Sequence, residues 1–425
     1  MKYSLTHRTI KKPIGYRFFV ALLGLFISSS SIALENQQTI TLADAITLTL
    51  KHHPDLKTYV SKEKVLDGRI QQAGIGERMQ IGLMAEDALG TGDHSALKSL
   101  QTTLTFSWLL QQEQLDGRVK AVHSEAQQLA LEKQVKALDL SALVAKLFVD
   151  VLVKQERLKL NLLAKSQAHE VVAAITKRTA AGKSSNIELQ LAKAELVRRE
   201  LAVEDIEHEL KASQYKLAAL WGKPSVQYRF AGRLENMPTV PEVDAQLALL
   251  LQNPRLQLFT SSQRIAESRI ELARIEAKPQ WQVSAGVRRY EATDDFGFVA
   301  GITIPWGQGN TNAGHIAALK AEQDMLSQEQ ESLMQQLNTQ LYVLLQEMAH
   351  SQHVIQTTQQ QIVPLLDDAL SEAHSAFDKG QLGYTQYSNV RNELLAAQTQ
   401  LLDAVAGIHL KHIEIQRLTG SSISQ

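Results

Sequence analysis

The stretch most open to a chemical reading is "AAGKSSNIEL", residues 180–189, where Gly182-Lys183-Ser184 looks like half of a phosphate-binding loop. A Walker loop needs a second glycine five residues earlier, so that successive backbone N–H groups can wrap the phosphates. That place is held by Lys177, and the preceding "LLAKSQAHEVVAAITKR" reads as charged helix, not as a buried strand. The phosphate reading fails, and the glycine has to turn a corner. "HEVVA" (His169–Ala173) lacks the second histidine of a zinc-protease helix. His350/His353 and His409/His412 each share a helix face at i, i+3, but no carboxylate or cysteine joins them at a fixed spacing. Two ligands hold a metal poorly, so these pairs read as surface or packing histidines. His52-His53 precedes a proline and is matched by Gln252-Asn253 further on, an asymmetry that favours a structural loop. No serine or cysteine sits in a nucleophile elbow. The expectation is no catalytic residue, no metal site, no cofactor and no enzyme.

The ends and the composition narrow the class. Five basic residues precede the apolar run "FFVALLGLFI" (Phe18–Ile27), and Ser31-Ile32-Ala33 supplies the small residues of a cleavage site. Residues 1–33 therefore read as a secretory signal peptide, cut after Ala33. The run is far shorter than the roughly 20 residues that cross a bilayer. Removing it leaves 39 basic against 45 acidic residues, a net charge of −6, which argues against a nucleic-acid partner. There is no cysteine, hence no disulfide framework, no thiolate metal site and no acylated mature N-terminus.

Internal repetition organises the rest. "HHPDL" (His52–Leu56) returns as "QNPRL" (Gln252–Leu256), 200 residues on. "LTFSW" (Leu104–Trp108) is echoed by "ITIPW" (Ile302–Trp306), Gly182 by Gly380, and "LAALWG" (Leu217–Gly222) by "EIQRLTG" (Glu414–Gly420), each at 198. The chain reads as a tandem duplication, with repeats over 34–222 and 243–420, a linker over 223–242 and a tail over 421–425. Each half opens with a helix, about Leu42–Ala73 and Val243–Ala277. Two alternating segments follow, then a long helix, a glycine corner and a return helix. More than 60 residues between Val119 and Ala181 contain neither glycine nor proline. At about 1.5 Å per residue they form roughly 95 Å of helix, and the return helix (about Asn186–Leu220) makes a coiled-coil hairpin.

The alternating segments decide between classes. "SLQTTLTFSW" places Leu100, Thr102, Leu104, Phe106 and Trp108 on one face and Gln101, Thr103, Thr105 and Ser107 on the other. "FGFVAGITIPW" groups Phe296, Phe298, Ala300, Ile302, Ile304 and Trp306 opposite Gly297, Gly301 and Thr303. "MQIGLMAED" and "WQVSAGVRRY" are weaker strands before them. Such alternation suits a soluble sandwich or a membrane barrel. Two hairpins between very long helices have no core of their own, and four strands cannot close a barrel. The chain must therefore oligomerise, and three copies supply twelve strands.

At this point the chain resembles the TolC-like outer-membrane efflux proteins, over essentially its whole mature length. "GITIPWGQGNTNAGHIAALKAE" (Gly301–Glu322) is close to the family's strand-to-helix crossing, and with the compact length it suggests the CzcC-like, heavy-metal branch. The resemblance implies a mainly α protein with a small β part: a homotrimer with a twelve-stranded barrel in the outer membrane and a helical tunnel in the periplasm. It implies an outer-membrane duct for an RND pump of the inner membrane and a periplasmic adaptor. The adaptor would dock at the tips Gly182, Lys183, Ser184, Ser185, Gly380, Gln381, Leu382 and Gly383, with Leu382 as an apolar anchor. Glu188 and Gln386 would point to the pore axis as a gate, less acidic than usual because the second is a glutamine. Leu104, Phe106, Trp108, Phe296, Phe298, Ile302, Ile304 and Trp306 would face outer-membrane lipid. Rival readings are a duct for drug efflux or type I secretion and, in another class, a soluble periplasmic coiled-coil scaffold.

Overall fold

The computed structural model describes residues 39–225, 227–307 and 312–423. The expected leader and its cut after Ala33 lie outside them, as do residues 308–311 of the strand-to-helix crossing. In chain order the first half holds β1 (Thr39–Ile40), α1 (Leu42–His52), α2 (Pro54–Ala73), β2 (Gln80–Glu86) and β3 (Gln101–Leu110). It continues with α3 (Gln112–His123), α4 (Glu125–Ala180) and α5 (Asn186–Ala219), and β4 (Arg229–Phe230) follows. The second half holds α6 (Val243–Leu250), α7 (Pro254–Glu276), β5 (Trp281–Tyr290), β6 (Asp295–Thr303), α8 (Ala313–Thr357), α9 (Val363–Asp378) and α10 (Tyr384–Thr419).

The opening helix of each half is two helices rather than one, for a local reason. Proline keeps the preceding residue out of the helical region, so His53 and Asn253 are extended at ψ 129° and 127°. Each becomes an N-cap: His53 Nδ1 accepts from the Asp55 N–H at 3.2 Å, and Asn253 Oδ1 from the Arg255 N–H at 2.7 Å. The long helix starts earlier than expected, at Gln112, and carries a joint at Ser124. There the hydroxyl donates to the Ala121 carbonyl at 2.6 Å and competes with the helical ladder, while the backbone stays helical. The 56 residues of α4 then run unbroken for about 84 Å. Its counterpart, α8 with α9, contains a five-residue π-helical turn over Thr358–Ile362, just before Pro364. Widening the ladder there relieves the clash of the proline ring with the preceding turn.

The four long strands form one antiparallel sheet in the order β2-β3-β5-β6. The central pairing, β3 with β5, joins the two halves over ten residue pairs, from Gln101↔Tyr290 to Leu110↔Trp281. Beyond the sheet, α2 packs on α3, α3 on α7 and α7 on α8, so the helices keep the lateral order of the strands they adjoin. Further along, α4 pairs with α5 and α10, and α10 with α9.

Two apolar clusters hold the middle of the molecule. The first gathers Ile40, Val144, Phe148, Val151, Leu217, Trp221 and Phe230, with the Phe148 and Phe230 rings edge-on at 5.9 Å. Part of the expected linker belongs to it, because β4 pairs in parallel with β1 and buries Phe230. The second repeats the plan with Leu341, Leu345, Met348, Ile355, Ile408, Ile415 and Leu418. A charged seam joins the halves: Asp139 accepts from Arg255 at 2.7 Å and from Arg417 at 3.1 Å, and Glu414 accepts from Arg417 and from Lys146 (2.6 Å). Burial works to raise the Glu414 carboxyl, but the hydrogen bonds from Arg417 and Lys146 bring it down to about 2. A carboxyl depressed on folding stabilises fully above its ordinary value of 4.5 and loses that contribution as pH falls towards 2. Glu414→Gln should therefore destabilise the chain at pH 7 by about 1–3 kcal/mol. In thermal melts the gap between variant and parent should close as pH drops through that window; a gap independent of pH would mean the carboxylate charge is not what joins the seam.

Candidate functional site

The sheet is inside out for a protein in water. Register sets Leu83, Leu104, Val287 and Phe298 in one row, Ile81, Phe106, Ala285 and Ala300 in the next, and Trp108, Val283 and Ile302 in a third. In these rows Leu83, Phe298 and Ile302 are 74%, 95% and 67% exposed, and Trp306, just beyond β6, is 98% exposed. The other face carries Thr103, Thr105, Ser107, Ser284 and Gly301, and it is the less accessible one, with Thr103 buried. All eight residues expected to face lipid are exposed, with Ile304 and Trp306 lying just beyond the end of β6. Gly286 marks the tight crossing of β3 and β5: a β-carbon there would lie 2.3 Å from the Leu104 carbonyl oxygen. On the polar face Arg288 spans three strands, donating to Thr103 Oγ1 at 2.8 Å, Gln101 Oε1 at 2.9 Å and Glu86 Oε2 at 2.9 Å. Each long edge, β2 and β6, has no strand partner beyond it among the described residues.

At the far end of the helices both glycine corners have the same geometry. Gly182 and Gly380 have φ of +71° and +75°, the left-handed region that a β-carbon disfavours by about 1–2 kcal/mol. Each closes a Schellman motif: Gly182 N–H bonds to the Thr179 carbonyl and Lys183 N–H to Arg178, while Gly380 N–H bonds to Phe377 and Gln381 N–H to Ala376. After the corner Ser185 Oγ accepts from the Glu188 N–H at 3.2 Å, and Glu188 Oε2 accepts from the Ser185 N–H at 3.4 Å and Ser184 Oγ at 2.8 Å. In the second tip Gln386 Oε1 accepts from the Gly383 N–H at 3.2 Å. The two side chains expected to aim at an axis are thus turned back onto their own helix starts, where unsatisfied N–H groups attract them.

The first tip also clamps the second. Glu188 Oε1 accepts from the Tyr384 N–H at 3.2 Å, capping α10 as well as α5. Arg178 donates to the Phe377 carbonyl at 2.5 Å and lies over the Phe377 ring at 4.6 Å, capping the end of α9. An anion at a helix start and a cation at a helix end both complement the helix dipole. The matching places of the second tip hold Gln386 and Ala376, so the clamp runs one way. Beneath it Val171, Ile175, Phe377, Tyr384 and Tyr387 form an apolar cluster, with Phe377 stacked on Tyr387 at 5.0 Å. Leu382, expected as a free anchor, is half-buried against this cluster because the corner folds it inward. The exposed apolar group is Ile187, at 72%. Sequence reading passed over it; the signal was a large β-branched residue in a first helical turn, where no interior is near.

Among the described residues, no three His, Cys, Asp or Glu side chains stand close enough to hold a metal ion. His350 and His353 are exposed on α8, whereas His409 Nε2 donates to the Leu234 carbonyl at 2.9 Å. Burial, with His409 nearby, lowers the His412 pKa.

The hydrogen bond from Ser184, then those from the Tyr384 and Ser185 N–H groups, hold the Glu188 carboxyl below its ordinary value of 4.5, against the opposing pull of burial. The clamp should be whole above that value and weaken as pH falls below it. Glu188→Ala should speed hydrogen exchange of the Tyr384 amide about tenfold, with Glu188→Gln in between because it keeps one acceptor. Unchanged exchange in the alanine variant would show that Glu188 does not cap α10.

Comparison with known proteins agrees with this geometry. Residues 45–223 match the outer membrane efflux protein family. The chain is similar to the cobalt-zinc-cadmium resistance protein CzcC of Cupriavidus metallidurans, 27% identical over 292 residues, which is 66% of this chain and 68% of that one. Its fold is that of CusC, a protein described for transmembrane channel formation (TM-score 0.72, 16% identity, 90% and 92% of the two chains). It is also that of the outer membrane protein VceC of Vibrio cholerae (TM-score 0.70, 18% identity, 90% and 96%). The matched region ends at the close of the first half, and the second half repeats its order of helix, strand pair and hairpin.

Proposed function

We propose that this chain, a member of the outer membrane efflux protein family and not an enzyme, forms a passive homotrimeric duct that carries heavy-metal cations out of the cell. The observation that carries the duct is the exposed apolar face of a four-stranded sheet whose two edges are both open. Neither feature suits water: each large exposed apolar side chain gives up about 1.5–3 kcal/mol of burial, and open edges invite pairing. Three copies, β6 of one beside β2 of the next, would close twelve strands, place the apolar rows in outer-membrane lipid and turn the Arg288 face to a wet lumen. The four helical layers would continue the barrel as a tunnel into the periplasm. A soluble scaffold would leave the apolar face uncovered.

The hairpin tips would form the periplasmic end and meet the adaptor, which links the duct to an inner-membrane RND pump. Gly182, Lys183, Ser184, Ser185, Gly380, Gln381 and Gly383 present a small, flexible surface there, and Ile187 supplies the exposed apolar contact that Leu382 does not. Glu188 and Gln386 would lie near the narrow end as the gate. With the Glu188 charge engaged in capping, little of it remains to select the cargo. The metal cargo rests on likeness to the cobalt-zinc-cadmium resistance protein; drugs or polypeptides are the rival cargoes.

A strain lacking the chain should become more sensitive to Zn²⁺, Co²⁺ or Cd²⁺ and regain resistance from a plasmid copy. Sensitivity to hydrophobic drugs alone would reassign the cargo. For the barrel, Ile302→Arg should reduce trimer in the outer membrane, because arginine on the lipid face costs about 2–4 kcal/mol at the midplane. Thr303→Arg, on the opposite face, should assemble better, and equal losses would put the register or the barrel in doubt. For the tips, Gly182→Val should abolish export at normal trimer levels, and crosslinkers at Ser184 and Gln381 should capture the adaptor. Crosslinks confined to the barrel end would move the docking site.

A further inference from the structure

Beside the tips, α4, α9 and α10 enclose a cleft of about 540 Å³, within the range of small-molecule sites. Arg391 lies on its lining; it is 6% exposed, and its Nη1 has no hydrogen-bond partner among the described residues. A guanidinium taken out of water without a counter-ion costs several kcal/mol, so a buried arginine in this state favours an anionic group beside it. The rest of the cleft has the opposite sign. Glu170 of α4 and Asp367 and Asp378 of α9 carry carboxylates into the same lining, and Glu170 and Asp367 make no ion pair among the described residues. Asp378 lies 3.6 Å from His374. Phe377 and Tyr387, stacked on each other, complete an aromatic wall.

This pattern selects among ligands by chemistry. An inorganic anion would meet Arg391 but also three carboxylates. A bare cation would meet the carboxylates and leave the guanidinium unpaired, and no three metal-ligating groups converge here. A group that is anionic at one end and doubly cationic elsewhere matches both. We propose that the cleft binds a free basic amino acid, its carboxylate on Arg391, its ammonium and side-chain cation towards Glu170 and Asp367, and its aliphatic stem along the Phe377–Tyr387 wall. Occupancy would tie α4 to α9 across α10, close to the Glu188 clamp. The inference uses only the cleft and does not rest on what the duct exports.

The test is calorimetric titration of the full chain, purified in detergent, with L-lysine and L-arginine. Cadaverine, which is lysine without its carboxylate, and sodium acetate are the controls. Both amino acids should bind saturably, cadaverine about tenfold or more weakly, and acetate not measurably. Arg391→Gln should reduce lysine to the level of cadaverine. Asp367→Asn lies on the exposed rim, where folding does not depend on it, and should weaken lysine while leaving the melting profile unchanged. No saturable lysine binding, equal binding of lysine and cadaverine, or unaltered lysine affinity in Asp367→Asn would each overturn the proposal. If Arg391→Gln does not fold, the cadaverine comparison and the rim variant decide.

Discussion

The rows Leu83–Leu104–Val287–Phe298 and Ile81–Phe106–Ala285–Ala300 have no interior of this chain to enter, and most of the architecture answers to that constraint. A sheet of four strands with one apolar face is ordinarily covered by a second layer. Here the helices leave from its ends and continue its order side by side, so none of them lies across the face. The proposed trimer in lipid would cover both this face and the two edges, which have no strand partner among the described residues. The match of residues 45–223 to the outer membrane efflux protein family and the exposure of the sheet point the same way.

The helical part is held by different means. Its two larger apolar clusters are small for such length and reach neither the sheet nor the tips, where a separate cluster around Phe377 takes over. Between them the seam of Asp139, Arg255, Glu414, Arg417 and Lys146 fixes α4 and α7 against α10. Because α10 contributes Ile413 to one cluster and Ile408, Ile415 and Leu418 to the other, it is the element through which the two halves share a core. The sheet and the tips lie on the same long helices.

The two corners are alike in backbone and differ in charge. Gly182 and Gly380, like Gly222 and Gly420, keep positive φ at a spacing of 198, since only glycine tolerates it cheaply. The charges did not stay paired. Glu188 and Arg178 serve both hairpins, so Gln386 and Ala376 can be neutral without leaving α9 and α10 uncapped. The missing acid of the second tip reads, from sequence, as a weaker gate; in the structure it also reads as a cap supplied from the neighbouring hairpin.

By itself the sequence determined what local chemistry determines. Strict alternation over Gln101–Leu110 and Asp295–Thr303 fixed the strands and their faces, because side chains on an extended backbone can only alternate. The absence of glycine and proline fixed the long helix, and glycine placed the corners. Proline would have placed the breaks at His53 and Asn253 too, but helix length drew the expectation across them. What tertiary structure alone decided are relations between distant residues. Phe230 closes the first core from within a linker, Glu188 reaches Tyr384 across 196 positions, and Leu382 turns inward while Ile187 stays out. Arg391 is buried with its Nη1 unpaired among the described residues, although its place in α10 reads as one more charged position on a helix. Periodicity reports which face of an element a residue occupies; only the packing of α4, α9 and α10 settles what that face meets.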